Sequence, residues 1–304
     1  MARVTILLST FDGAAYLEAQ LASLLEQSER DWTLLWRDDG SQDATVPIMT
    51  AWEGGAGAGR CRAVAPAGHL GVAGSYLALL RAGVAAGAEA VAFADQDDVW
   101  LPEKLARGLG ALAAAPAGKP ALYCARQVLV GPDLRRIGLS ARVRPLAFPA
   151  ALTQNVATGC TIMMNRAAAR LVAASAPPPT SLHDWWSYLV VAVAGGRIIA
   201  DPEPVMLSRQ HAGNRVGAPP SAARRAVAAA RRGPGLFMTV LRQNVAALSE
   251  QPGLVAPENR TALERIRRGL EGGPAARLPT LLLPGLRRQT WKETLVFRLW
   301  FIMG

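Results

Sequence analysis

Asp95, Asp97 and Asp98 stand together in Asp95-Gln96-Asp97-Asp98-Val99-Trp100, directly after the apolar run Ala90-Val91-Ala92-Phe93-Ala94. Such a run reads as a buried strand. The acids then emerge at its carboxyl end, the edge of an open α/β sheet where ligands bind. Carboxylates one residue apart can share a divalent cation, and their hard oxygens suit Mg²⁺ or Mn²⁺. A cation held there can bridge a diphosphate. The same residues also fit an acidic surface turn leading into a helix, with Pro102 at the first helical position. A second acidic pair lies in Arg37-Asp38-Asp39-Gly40-Ser41-Gln42-Asp43-Ala44-Thr45, after the short apolar run Thr33–Trp36. A carboxylate at that strand end can accept a hydrogen bond from a base imide or a ribose hydroxyl. Ser41 or Asp43 can equally cap the helix that follows.

Two further groups lie in the second half. Ser181-Leu182-His183-Asp184-Trp185-Trp186 sets a carboxylate beside two indoles. The flat faces of Trp185 and Trp186 suit stacking on a sugar-like acceptor, and Asp184 can act as a general base on an acceptor hydroxyl. A Ser followed three residues later by Asp also fits a helix-start capping arrangement. In Ser208-Arg209-Gln210-His211-Ala212-Gly213-Asn214, His211 can complete a metal site and Arg209 suits a diphosphate. A structural histidine after a strand satisfies the pattern too.

The elements that would position these groups alternate. Strands are expected at Val4–Leu8, Thr33–Trp36, Arg62–Ala65 and Ala90–Ala94. Helices are expected at Asp12–Leu25, Thr45–Trp52, Ser75–Ala86 and Pro102–Ala114, with Gly68–Gly71 as a loop. This is the pattern of an α/β parallel sheet. Further on, two strands at Ala121–Cys124 and Gln127–Val130, a strand ending near Asn165, a helix over Arg166–Ala174, a helix from near Ser181 and a strand over Gly196–Ala200 are expected. Beyond Gly217 the pattern turns helical and basic.

With 304 residues, 51% of them hydrophobic, the chain can bury one large domain plus an appendage. Cys61, Cys124 and Cys160 are widely spaced, without metal-ligand or disulfide spacing, which fits a reducing cytoplasm. The opening apolar run has a strand's length, so no signal peptide is expected, and no stretch approaches a membrane span. The net charge of +10 is uneven: residues 1–217 carry +1 and residues 218–304 carry +9. That balance argues against a nucleic-acid-binding role for the first part.

Taken in order, the four groups resemble glycosyltransferase family 2, inverting enzymes of the GT-A fold, over about residues 3–217. Leu8-Ser9-Thr10-Phe11-Asp12-Gly13 is similar to that family's opening strand and loop, and Asp38-Asp39-Gly40-Ser41 to its nucleotide-contacting turn. Asp95 to Trp100 with Pro102 and Lys104, Thr158-Gly159-Cys160, His183 to Trp186, and Arg209-Gln210-His211 with Asn214 resemble its bacterial rhamnosyltransferase-like branch. Phe11 stands where Tyr is common, and Gln42 where Thr or Glu is common. The resemblance implies a GT-A catalytic domain over 1–217, a Rossmann-like mixed sheet flanked by helices, with a basic helical extension over 218–304. It implies nucleotide contacts from Ser9, Phe11 and Asp39, with Asp38 shaping the turn. Asp97 would hold Mn²⁺ or Mg²⁺, with Asp95 on the metal or donor sugar and His211 on the metal or diphosphate. Asp184 would be the base.

The implied donor is dTDP-L-rhamnose, or else a UDP- or GDP-sugar, and the acceptor a polysaccharide or lipid-linked glycan. A nucleotidyltransferase also pairs carboxylates with metal, but Ser9–Gly13 lacks the basic triphosphate loop that class uses. A non-catalytic basic membrane- or nucleic-acid-binding protein fits the tail and not residues 1–217. In the tail, Arg224-Arg225, Arg231-Arg232, Arg267-Arg268 and Arg287-Arg288 alternate with apolar groups, including Leu281–Leu283, Leu295–Phe297 and Trp300–Ile302. Docking on an anionic membrane surface, or packing on the catalytic domain or a second subunit, would each use that pattern.

Overall fold

A computed structural model describes residues 3–65, 68–144, 147–211 and 234–304. Its strands are β1 (Val4–Thr10), β2 (Trp32–Asp38), β3 (Cys61–Ala63), β4 (Ala90–Ala94), β5 (Val99–Trp100), β6 (Ala121–Val130), β7 (Arg136–Leu139), β8 (Met163–Asn165) and β9 (Arg197–Arg209). They form one mixed sheet in the order β3-β2-β1-β4-β8-β6-β9-β5, with β7 on β6. The first four strands are parallel. β8 runs antiparallel between β4 and β6, and β9 runs parallel to β6. All five residues of β4 are buried, as a central strand covered on both faces requires.

Alternation along the strands divides the core in two. Ile6, Leu8, Leu34, Trp36 and Ala92 face α1 (Ala14–Leu25), α2 (Thr45–Gly54) and α4 (Lys104–Ala113). Leu7, Leu35, Val91 and Phe93 face α3 (Gly71–Ala85), α5 (Arg166–Ala174) and α6 (His183–Val193). The α6 stretch from Trp186 to Val193 is buried throughout, the mark of a helix apolar on all sides.

The second core continues into the carboxyl-terminal helices α7 (Pro234–Ser249), α8 (Pro257–Glu271), α9 (Pro274–Thr280) and α10 (Trp291–Met303). Leu241, Val245, Leu263, Ile266, Phe297 and Phe301 belong to the same apolar cluster as the sheet. These helices therefore pack on the same core as the sheet. The expected boundary at 217/218 lies outside the described residues, as do Gly213, Asn214, Arg224, Arg225, Arg231 and Arg232. Leu281, Phe297 and Phe301, part of the pattern expected either at a membrane or packed on the first part of the chain, are core residues.

Several elements differ from the sequence reading. The two strands expected over 121–130 are one, because register shifts near Ala125 and Arg126 absorb the break against β9. β9 runs to Arg209 instead of ending at Ala200. Pro202 and Pro204 argue against a strand, yet Pro204 sits at the register irregularity opposite Arg126. α3 starts four residues early, at Gly71 with φ +68°. β5, unforeseen, pairs with Met206 and Leu207 of β9.

Because α10 and the sheet share one core, Phe301→Ala should lower the stability of the whole chain by about 3–5 kcal/mol. Chemical denaturation followed by tryptophan fluorescence and circular dichroism should give one shifted transition. A separate early transition, with the main midpoint unmoved, would show that the tail folds apart.

Candidate active site

Three strand ends open on one edge of the sheet. In register, Thr10 of β1 lies beside Asp38 of β2, and Leu8 of β1 beside Ala94 of β4. The loops leaving these strands are stitched together. The Phe11 backbone N–H donates to Gln96 Oε1 and the Gln96 amide returns a bond to Phe11 O, both at 2.8 Å. Gly13 is needed there: a Cβ would stand 2.2 Å from Gln96 Oε1. Ser9 is half-buried at the end of β1. Phe11 is 49% exposed, and its ring lies 5.9 Å from that of the exposed His69. His69 was read only as a loop residue, because nothing in its local pattern reports that the 68–71 loop folds over the end of β2.

Asp38 shapes the turn as expected. It accepts bonds from Thr10 Oγ1, Gly40 N, Ser41 N and Ser41 Oγ. Asp39 is put to a different use from the expected nucleotide contact. It is 4% exposed, and both oxygens are occupied by Arg37 Nη1 at 2.6 Å, Leu70 N at 2.7 Å, Gly71 N at 2.9 Å and Ser75 Oγ at 3.1 Å, with His69 Nδ1 at 2.9 Å. A carboxylate has about four lone-pair sites, so no oxygen remains for a base. Burial alone would raise its carboxyl, but the bonds from Arg37, Leu70 and Ser75 outweigh it and hold it below the usual range. Asp39 thus fixes the loop that carries His69. Asp43 bonds Thr45 N and also Ala14 N, serving the starts of α2 and α1 together.

The acidic loop after β4 separates its carboxylates. Asp95 accepts a bond from Tyr76 Oη at 2.5 Å. Burial, and then the charge of Asp97, raise Asp95 to about 6. Asp97 Oδ2 lies 2.8 Å from His211 Nε2, so these two expected residues do meet. Asp98 is buried beneath, accepting from Arg209 N at 3.3 Å. One ligand atom each from Asp95, Asp98 and Cys160 falls within 4.8 Å. That deeper trio is a poor cation site. Burial keeps the Cys160 thiol protonated, and the buried Lys104 amine already lies beside it, with Nζ 2.5 Å from Cys160 O and 3.3 Å from the Trp100 ring centre. The partly buried Asp97–His211 pair brings together a carboxylate oxygen and an imidazole, ligand types that a divalent cation accepts.

Arg209 does not match its expected diphosphate role. It is 4% exposed, and its guanidinium donates to Asp97 O at 3.0 Å and Pro132 O at 2.5 Å while lying 4.6 Å over the Tyr16 ring. It fastens the acidic loop to β9. Tyr16, which also lies 4.9 Å from the His211 ring, was not foreseen.

Asp184 lies in the first turn of α6. The capping arrangement is not formed: Leu182 is the cap residue without a side-chain bond, and the buried Ser181 hydroxyl has no partner among the described residues. Burial raises the Asp184 carboxyl to about 6, against hydrogen bonds from Trp185 N, the Asn155 side chain and Gly159 N. His183 stacks on Tyr76 with centroids 3.9 Å apart, and burial keeps it neutral, down to about 3. Tyr76 therefore touches both the Asp95 side and the Asp184 side. Its signal was available: a tyrosine on the core-facing side of a helix needs a partner for its hydroxyl. Gly159 permits this packing, since a Cβ there would stand 2.6 Å from His183 Nε2.

The two indoles part ways. Trp185 is half-buried, with its N–H on Ala151 O at 2.9 Å. Trp186 is 2% exposed, its N–H on Ser175 Oγ at 2.7 Å, so no face is left for a sugar. Its expected stacking role is corrected to core packing.

A parallel sheet half closed by an antiparallel strand, with acids gathered at the strand ends, is the arrangement of the GT-A fold. The chain belongs to Glycosyl transferase family 2, whose profile matches residues 5–169. It is a rhamnosyltransferase-like glycosyltransferase, and this membership displaces both the nucleotidyltransferase and the non-catalytic readings. It is 24% identical over 226 residues to the dTDP-rhamnosyl transferase RfbG of Shigella flexneri, covering 69% of this chain and 74% of that protein. It is 33% identical over 106 residues to an uncharacterized glycosyltransferase of Nostoc, covering 34% and 31%. Among solved structures it resembles residues 1–349 of Staphylococcus aureus TarS with UDP-GlcNAc, at TM-score 0.58 and 15% identity over 88% of this chain and 71% of that one. It also resembles a Pyrobaculum calidifontis mannosyltransferase with GDP-Man and Mn²⁺, at 0.50 and 17% over 99% and 86%.

Trp186→Phe should lower stability by about 1–3 kcal/mol, because the Ser175 hydroxyl loses its buried donor. The acceptor KM should not change. A raised acceptor KM at an unchanged melting temperature would restore the stacking role.

Proposed function

We propose that the enzyme transfers a sugar, with inversion, from a nucleotide-diphosphate donor to a hydroxyl of a polysaccharide or lipid-linked glycan. It works peripherally on the cytoplasmic face of the inner membrane. The favoured donor is dTDP-L-rhamnose, supported by the likeness to a dTDP-rhamnosyl transferase; UDP- and GDP-sugars are the alternatives. The observation that carries the reading is Asp184, a half-buried carboxyl that desolvation raises to about 6 and that feels the charge of Asp95 across Tyr76 and His183.

On this reading the nucleotide base stacks on Phe11, with His69 and Ser9 beside it. Asp39 acts indirectly, by holding the 68–71 loop. Asp95 faces the donor sugar. Asp97 and His211 would hold Mn²⁺ or Mg²⁺, and such an ion would supply Lewis-acid charge neutralisation for the leaving diphosphate. Trp185 borders the acceptor. Asp184 accepts the proton of the attacking hydroxyl, and its elevated carboxyl makes it a stronger base than an ordinary aspartate. One base suffices, because no second carboxyl is needed to protonate the leaving group.

A panel of nucleotide sugars with Mn²⁺ or Mg²⁺ tests the function. Turnover of dTDP-L-rhamnose is expected, and no turnover of any nucleotide sugar would reject the reading. In the same assay Asp97→Asn should abolish transfer and weaken cation-dependent donor binding; unchanged Mn²⁺-dependent affinity would remove Asp97 from the metal.

The base must be ionised to work. Activity should therefore rise with pH up to about 6, where Asp184 loses its proton, and level off above it. Asp184→Asn should cut turnover ~10²-fold or more with little change in donor affinity. Its acidic limb should shrink to the part that Asp95, also raised to about 6, contributes. A variant that loses stability yet keeps its rate and its limb would assign Asp184 to structure.

A further inference from the structure

The outer face of α10 has no partner among the described residues. Trp291, Leu295, Leu299 and Met303 recur every fourth residue, so they form one stripe along the helix. Trp291 is 73% exposed and Met303 66%, and Val296 flanks them. The opposite face carries Phe297 and Phe301 into the core. The helix is thus fixed in place with its apolar stripe outward. A capping box formed by Thr290 and Glu293 secures its start.

Beside the stripe lies a cleft of about 580 Å³. Arg144, Arg287, Arg288 and Arg298 line it together with Trp291 and Leu295. Arg144, Arg287 and Arg298 are exposed, while Arg288 is turned inward, its Nε buried and its guanidinium 5.7 Å over the Phe237 ring. The other described doublet of the tail is spent differently: Arg267 and Arg268 pair with Glu264, and Arg267 also with Glu271. The cleft is built into the catalytic unit. Thr153 Oγ1 donates to Arg287 O at 3.0 Å, Gln289 N donates to Gln154 Oε1 at 3.2 Å, and Arg144 and Gln289 exchange bonds at 2.9 and 2.7 Å. The next residue, Asn155, stands close enough to the Asp184 carboxyl to favour its ionised form.

We propose that the outer stripe of α10 and the arginine cleft at its start form a docking surface for an anionic phospholipid bilayer. Trp291, Leu295, Leu299 and Met303 enter the headgroup boundary, and the arginines meet lipid phosphates. Charge complementarity selects this occupant. A cluster of guanidiniums edging an apolar helix face matches anionic phosphates above acyl chains, whereas two copies of the face would bring like charges together. The short path from Thr153 to Asn155 places the docked surface next to the Asp184 side, where a lipid-linked acceptor would arrive. The inference builds on the peripheral-membrane part of the functional reading. It is tested without sugar transfer, so either can fail alone.

The test is co-sedimentation of the full-length protein with phosphatidylglycerol-containing vesicles and with phosphatidylcholine vesicles, at low and high salt. Binding is expected on the anionic vesicles at low salt, weakened by high salt and by neutral lipid. Leu295→Glu with Leu299→Glu, and separately Arg287→Gln with Arg298→Gln, should each weaken partitioning about 10-fold or more. Circular dichroism and melting temperature should stay as in the parent. Four outcomes would overturn the proposal: a parent protein that ignores anionic vesicles, two folded variant pairs that bind as the parent does, equal binding to neutral vesicles, or a parent dimer in sedimentation equilibrium that Leu295→Glu with Leu299→Glu dissociates while vesicle binding persists.

Discussion

Three carboxylates crowded at the end of a buried strand are the constraint around which this molecule is arranged. An ionised carboxylate taken out of water needs counter-charge or hydrogen bonds, and several kcal/mol are at stake for each. Each acid here is answered from a different element. Tyr76 of α3 bonds Asp95, and His211, just after β9, meets Asp97. The backbone N–H of Arg209 in β9 bonds Asp98, and Lys104 of α4 lies buried below. Burial pushes Asp98 up and Lys104 down, as expected where opposite charges are desolvated together. The loop is therefore the point where both faces of the sheet converge.

That convergence depends on the length of β9. Had the strand ended at Ala200, neither Arg209 nor His211 would reach the acidic loop. Pairing with β6 carries the chain past two prolines to that point, and the short pairing with β5 secures the far side of the loop. Arg209 then binds backbone carbonyls on both Asp97 and Pro132, so the loop's position follows from the sheet.

A similar division of labour holds at the end of β2. Asp38 and Asp39 are committed to the backbone around them, and the exposed groups are the rings of Phe11 and His69. Buried polar groups with complete partners hold loops still, while exposed aromatic faces remain available to a flat ligand. On the opposite side of the sheet, the carboxyl-terminal helices complete the core that α6 needs. A helix apolar on all sides, and carrying Asp184 in its first turn, has to be covered.

Local pattern alone determined a good deal. The alternation of apolar strands and amphipathic helices over the first 115 residues, the exact limits of β4 and α5, and the placing of both acidic pairs at strand ends were legible, because period and strand-end chemistry are local properties. Tertiary structure alone decided which groups are available. Trp186 and Trp185 are neighbours of the same type, yet one faces the core and the other its edge, because helix phase against the rest of the fold is not local. Asp39 and Arg209 look like ligand contacts in sequence and are consumed by partners from 31 and 112 residues away. In the tail, one helix bears both core and exposed apolar residues, Phe297 and Phe301 inward and Trp291 and Leu295 outward. The sheet is what separates them, because only contact with it removes one face from water.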